Sequence, residues 1–185
     1  ENGEVLDDAE FIVASAQLLV AGHESTTNLI GNAVFHLLEH PTELERLRRD
    51  PALVDSAIEE VLRFDSPVQG AWRRATRDVT VAGCPVAAES RLYLLFGSAN
   101  RDPALHADPD RFDIGRFARA GRHFSFGHGL HVCLGAALAR REARIALQVL
   151  LARLPNLRLD RGRPATRSQC HFLRGFRDLP VRWDG

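Results

Sequence analysis

Residues 124–135 read FSFGHGLHVCLG, from Phe124 to Gly135. One cysteine, Cys133, stands among glycines, histidines and phenylalanines. It directly precedes a helical pattern, LGAALARREARIALQVLLARLP, closed by Pro155. Gly127, Gly129 and Gly135 let the backbone turn sharply and approach another group closely. Free N–H groups at a helix start favour a thiolate. A helix end contributes only about 0.3–1 kcal/mol, less than the roughly 1.4 kcal/mol of one pKa unit. A bound metal deprotonates a thiol outright. A lasting thiolate at Cys133 therefore argues for a metal more than for the helix dipole.

Two metals fit unequally. Zinc could take His128, His131 and Cys133, but H-x-x-H-x-C matches no common zinc spacing and a fourth ligand is not evident. A heme iron needs one protein thiolate on its proximal side. Phe124 and Phe126 would then screen the sulfur from water, and His131 could reach a heme carboxylate. The bland alternative is a buried structural cysteine on a glycine-rich turn. The glycine spacing, the histidine and the following helix together weigh against it.

Two further stretches carry possible chemistry. AGHESTT, Ala21–Thr27, puts five polar residues after Gly22 in an otherwise apolar helix. Glycine in a helix interior costs about 1 kcal/mol against alanine. Serine and threonine can bond back to preceding carbonyls, and Glu24 beside Ser25 could relay protons. A close helix–helix crossing explains the same residues equally well. In EEVLR, Glu60 and Arg63 share a helix face. An exposed i,i+3 pair contributes only about 0.2–0.5 kcal/mol, whereas a buried one must be fully partnered. Arg111, in PDRF, is the expected third member.

The 185-residue chain is long enough for one domain with a core, and residues 1–185 read as a single unit. Its 24 Lys and Arg balance 24 Asp and Glu, so neither nucleic acid nor an anionic membrane is indicated as a partner. The richest apolar run, FIVASAQLLVAG, is too short to span a bilayer. Three widely spaced cysteines, Cys84, Cys133 and Cys170, make no disulfide framework, which points to a reducing cytoplasm. The chain lacks methionine and opens ENGEVLDDAE straight into a helix, so it reads as a fragment without its N-terminal part.

The periodicity predicts a long helix from Asp7 to Pro41, a short helix in TELERLRRD and a third in PALVDSAIEEVLRF. VQGAWRRA, DVTVAG and RLYLLFGSA read as strands, with Gly83-Cys84-Pro85 as a turn. Residues 100–122 are irregular and too long for a plain connection. NLRLD and LPVRW are short strand candidates in the tail. The fold class is mainly α with small β-sheets.

AGHEST, EVLR, PDRF and FSFGHGLHVCLG, in this order, resemble the C-terminal half of the cytochrome P450 family, specifically its soluble bacterial branch. The pattern F-x-x-G-x-x-x-C-x-G is met by Phe126, Gly129, Cys133 and Gly135. The resemblance covers essentially the whole chain, down to LRGFRDLPVRW. It implies a heme-thiolate monooxygenase that inserts one oxygen atom of O2 into a small organic molecule. Heme b would be the cofactor and Cys133 its iron ligand. Phe126 would pack by the sulfur, on the loop shaped by Gly127, Gly129 and Gly135. His131 and Arg73 would bind the heme propionates; Arg73 stands five residues before Asp78, as the family's strand arginine does. Glu60, Arg63 and Arg111 would form a buried triad. Glu24 and Ser25 would deliver protons.

The resemblance further implies that substrate touches Leu18–Gly22, Pro67–Trp72 and His171–Leu173. Electrons would come from a ferredoxin-type partner, with Arg140, Arg141 and Arg144 as candidates for its acidic surface. Ser25 departs from the threonine usual at its position. The family's N-terminal half is absent from this sequence, which leaves a second reading, a non-catalytic heme-binding remnant.

Overall fold

A computed structural model describes residues 5–118 and 121–185. The first helix, α1, runs Asp8–Glu39. Its start is a capping box: Glu10 N–H donates to Asp7 Oδ1 at 2.8 Å, and Asp7 N–H donates to Glu10 Oε2 at 3.1 Å. It ends where Pro41 disfavours a helical residue before it; His40 leaves the helical region at φ −120°, ψ 75°. Pro41 then opens α2, Pro41–Arg49. A single 3₁₀ turn, Pro51–Leu53, leads into α3, Val54–Phe64.

The core gathers the C-terminal half of α1 (Leu29, Ala33, Leu37), α2 (Leu44, Leu47), α3 and the long helix α5, Ala136–Arg153 (Ala143, Leu147). Phe112 and Ile114 fill in from the irregular stretch. Leu29, Leu37, Ile58 and Leu147 are each 1% exposed. Burial of each such side chain is worth about 1.5–3 kcal/mol. Helix α3 is buried on more than one face, from Val54 and Ala57 to Ile58 and Leu62, so it is central rather than amphipathic.

Among the described residues, four two-stranded antiparallel sheets edge this core. β1, Gly70–Arg74, pairs with β4, Arg91–Leu95, placing Arg73 opposite Leu92. β2, Val79–Val81, pairs with β3, Cys84–Val86. Their turn is Ala82-Gly83, at φ +48° and +82°, rather than Gly83-Cys84-Pro85. Two successive positive φ values match the right-handed twist of a hairpin. The expected strand RLYLLFGSA stops at Leu95, and Phe96–Ala99 forms a short helix, α4. In the tail, β5 (Arg158–Leu159) pairs with β8 (Val181–Arg182). A second tail pair, β6 (Thr166–Arg167) with β7 (Phe176–Asp178), lies outside the strand candidates NLRLD and LPVRW. Among the described residues, no helix is long and apolar enough to cross a membrane.

Candidate functional site

The irregular stretch is ordered around one buried cation. Glu60 and Arg63 are both 0% exposed. Arg63 Nε and Nη2 each donate to Glu60 at 2.8 Å. Its remaining N–H groups donate to the carbonyls of Asn100 (3.0 Å), Pro109 (2.8 Å) and Arg111 (3.3 Å). All five guanidinium donors are thereby used. Three carbonyls of residues 100–111 turn inward to this side chain, and local turns such as His106 N–H to Asp102 O (2.9 Å) and Arg111 N–H to Asp108 O (3.0 Å) shape the rest of the stretch.

The third member of the triad is Arg116, not Arg111. Arg116 Nε lies 3.1 Å from Glu60 Oε2, and Asp113 N–H donates to Glu60 Oε1 at 2.9 Å. Arg111 is exposed and contributes only its carbonyl, to Arg63 and to Arg116. PDRF supplies a turn whose carbonyls face Arg63, and the side chain that pairs with Glu60 arrives five residues after Arg111, from DIGRF.

From this triad the scaffold reaches the cysteine loop. Asn100 Nδ2 donates to Ser125 Oγ at 2.9 Å, and Phe124 N–H donates to Asn100 Oδ1 at 2.7 Å. Ser125 Oγ donates to the carbonyl of Leu62 at 2.5 Å. Beside them Glu59 accepts from Arg140 Nε (2.6 Å) and Nη2 (2.9 Å) and pairs with His123 Nε2 at 3.0 Å. Burial pushes the Glu59 carboxyl up, but Arg140 and His123 more than offset it and hold it at about 2. Arg140 in turn lies over the Phe126 ring, 4.5 Å from its centre. The sequence reading missed this brace, although His123 and Glu59 flank the quoted motifs.

Gly127 and Gly129 have φ of +72° and +75°, values that side chains other than glycine adopt at a cost. Gly135 has an ordinary φ of −85°. Cys133 N–H donates to the Phe126 carbonyl at 2.9 Å, which closes the loop. Helix α5 begins at Ala136, so Cys133 precedes the helix rather than opening it. The thiol is free and exposed, as is His131. Its neighbours Leu130 and Leu134 are 95% and 90% exposed. Among the described residues no three His, Cys, Asp or Glu side chains gather as a metal-holding group, so His128, His131 and Cys133 do not form a zinc set.

The opposite feature of the molecule is the N-terminal half of α1, where Phe11, Leu18, Leu19 and Val20 are all exposed. Ser25 Oγ donates to Ala21 O at 2.7 Å and Thr27 Oγ1 to His23 O at 2.8 Å. Apart from its chain neighbours and its own helix backbone, no described atom lies within 4 Å of where a Cβ on Gly22 would stand, so Gly22 itself does not mark a helix crossing among the described residues. Glu24 is exposed. Arg73 is exposed on β1, its Nη1 donating to the Trp72 carbonyl at 2.8 Å.

Two of the three expected substrate-contacting segments meet. Gln69 N–H donates to Phe172 O at 2.9 Å, and Val68 bridges Leu173.

The profile described as Cytochrome P450 matches residues 1–161. The chain belongs to the cytochrome P450 family. It is 47% identical over 174 residues to the biotin biosynthesis cytochrome P450 of Bacillus subtilis, covering 90% of this chain and 42% of that one. It is 43% identical over 185 residues to the cytochrome P450 monooxygenase PikC of Streptomyces venezuelae, covering 99% of this chain and 44% of PikC. The fold superposes on CYP109E1 of Bacillus megaterium in complex with testosterone with a TM-score of 0.95 at 40% identity, over 100% of this chain and 51% of that one. It superposes on P450BioI in complex with a hexadec-9Z-enoic acid ligated acyl carrier protein with a TM-score of 0.93 at 43% identity, over 98% of this chain and 47% of that one. The chain thus spans about half the length of the P450 proteins it matches.

Proposed function

We propose that this P450 chain carries the heme-holding part of a monooxygenase that inserts one oxygen atom of O2 into a small, largely apolar organic molecule. The observation that carries the reading is Cys133, a free thiol held at the surface by a loop braced from α3 and α5, amid unburied leucines. A core cysteine would be covered, and a surface one needs no such brace.

The residues fit the group. A heme asks for one donor to its iron, apolar contact on its faces and cations for its two carboxylates. Cys133 would be the donor, Leu130 and Leu134 lie beside it exposed, and His131 and Arg73 are exposed and would pair with the carboxylates. Thiolate-ligated heme, when bound, supplies the iron chemistry that activates O2 and favours O–O cleavage. The chain's own residues do the rest. Phe126 would shield the sulfur from water, and its carbonyl already fixes Cys133 through the 2.9 Å bond. Ser25 and Glu24 would hold and move protons on the oxygen side. The single proton of Ser25 points at Ala21 O, so relay requires the hydroxyl to rotate off that carbonyl.

The substrate class rests on the relatives, whose structures hold testosterone or a hexadecenoic acyl chain. Electrons would come from a ferredoxin-type donor. Of the three arginines named for its docking, Arg140 is bound to Glu59 and Arg144 has a 3.4 Å contact with Asp55. Exposed Arg141 is the better placed of the three.

The test is the absorption spectrum of the full natural chain, reduced under carbon monoxide. A red-shifted Soret band of the thiolate type, abolished in Cys133→Ala, is expected. A histidine-type band, or no heme uptake, would overturn the reading. A thiolate band without turnover of any substrate, given electrons, would leave the non-catalytic remnant.

A further inference from the structure

A second buried polar cluster stands apart from the triad and the cysteine loop. Its centre is Asp65, whose side chain is 3% exposed. One oxygen, Oδ2, faces His36 Nε2 and Arg167 Nη2, both at 2.8 Å; the other, Oδ1, accepts from Arg174 Nε at 2.5 Å. Asn32, 0% exposed, completes the cluster. Its Nδ2 donates to the carbonyls of Asp65 and Arg174, each at 2.9 Å, and its Oδ1 accepts from Arg167 Nη1 at 3.0 Å.

Arg167 and Arg174 are the two feet of one turn, residues 168–173. Both feet therefore stand on a single carboxylate. The turn between them carries Phe172 and Leu173, which pair with Val68 and Gln69; Arg174 N–H also donates to Pro67 O at 2.8 Å. This wall stands where α1 changes from exposed to buried. Gly175 packs directly on Asn28, leaving no room for a side chain. Asn28 is three residues beyond Ser25, about 4.5 Å along the helix axis. At the wall, Trp72 and Phe172 remain 57% and 39% exposed.

We infer that Asp65 is a positioning residue for the substrate-side wall, holding Val68–Gln69 and Phe172–Leu173 in place beside Ser25 through Arg167 and Arg174. This rests on the heme reading above. The wall is two chain segments with few bonds of their own. The carboxylate supplies the rigidity that lets it distinguish one bulky ligand from another. A charge-assisted bond to a buried carboxylate is directional and costly to lose, so a neutral amide in its place frees both feet together.

The experiment compares two heme ligands in the full natural chain. Imidazole reports on the iron alone, and 4-phenylimidazole extends onto the wall. In Asp65→Asn, 4-phenylimidazole affinity is expected to fall about tenfold, the scale of one charge-assisted hydrogen bond, while imidazole affinity and the thiolate Soret band stay as in the natural protein. Amide hydrogen exchange, which needs no heme, is expected to speed up at Gln69 and Arg174. Arg174→Gln is expected to show a smaller change of the same kind and carries the test should Asp65→Asn fail to fold. Asp184→Asn, which loosens the exposed tie to Arg158, serves as control and should change neither ligand. An unchanged ratio of the two affinities in both cluster variants overturns the proposal, even with faster exchange, because the cluster would then be purely structural. Unchanged exchange overturns it as well. No imidazole binding by the unsubstituted chain overturns the heme reading, and this inference with it.

Discussion

The guanidinium of Arg140 lies 4.5 Å from the centre of the Phe126 ring. Glu59 fixes it there with two hydrogen bonds, and the carbonyl of the same Phe126 accepts the N–H of Cys133. One ion pair on α3 and α5 thus sets the backbone that presents the thiol. Arg140 thereby braces the loop.

Arg140→Ala removes this cover and one partner of Glu59. A cation–π contact contributes about 0.5–1 kcal/mol, and a hydrogen bond to a charged group about 1.5–3 kcal/mol. Denaturant unfolding of the full chain should show a loss of roughly 1–3 kcal/mol on those magnitudes. The share of reduced, carbon-monoxide-bound protein with the thiolate-type band should fall in parallel. Arg144→Ala, which breaks only the 3.4 Å contact to exposed Asp55, should leave both readings where they are. Equal effects of the two substitutions would remove the role given to Arg140.

The buried pair Glu60–Arg63 predicts a ranked series. Removing one member leaves an uncompensated buried charge, a loss of about 3–5 kcal/mol. Arg63→Ala and Glu60→Ala should therefore abolish or nearly abolish folded protein. Arg116→Ala removes a partly exposed partner and should cost less. Arg111→Ala keeps the one group that matters there, its carbonyl, and should stay within about 0.5 kcal/mol of the natural chain. Thermal melts rank all four, and an Arg111 effect as large as that of Arg116 would contradict the assignment.

Acid should weaken the Asp65 cluster in two stages. Burial, the largest influence, holds His36 below its ordinary 6.5, so its neutral ring donates to Asp65 near pH 7. Below 6.5 the unfolded chain takes up the proton first, and stability falls with pH. Burial raises Asp65, but His36, Arg167 and Arg174 outweigh it and bring it from 3.8 to about 2. Its contribution is complete above 3.8 and is lost as pH falls toward 2, on the order of 2 kcal/mol. Unfolding free energies from pH 7 down to pH 3 should show both limbs. Asp65→Asn should flatten the lower one.

Ser25 has the hydroxyl of a threonine without its methyl. The methyl would restrict χ1 and so the direction of the hydroxyl. On the proposed function, Ser25→Thr should lower the hydrogen peroxide released per electron pair consumed. An equal or higher peroxide yield in the threonine variant would count against any proton-handling role for this position.

Much of the site was legible along the chain because its signals are local. Glycines on a tight loop and prolines at helix ends each act within a few residues. Cys133, Gly127, Gly129 and the pair Glu60–Arg63 were visible for that reason. Arg111 was assigned wrongly because a buried carboxylate selects its partner by direction in space. Nearness in sequence to PDRF is no guide when the backbone there turns its carbonyl inward. The Asp65 cluster joins residues 32, 36, 65, 167 and 174 across more than a hundred positions, and no periodicity links them. By itself the sequence determined where the longer helices form and that a lone thiol sits on a glycine-shaped loop, since backbone sterics are short-range. Only the tertiary structure decided which charges are buried, which arginine answers Glu60, and what braces the thiol, because burial and hydrogen-bond direction exist only once distant segments have packed.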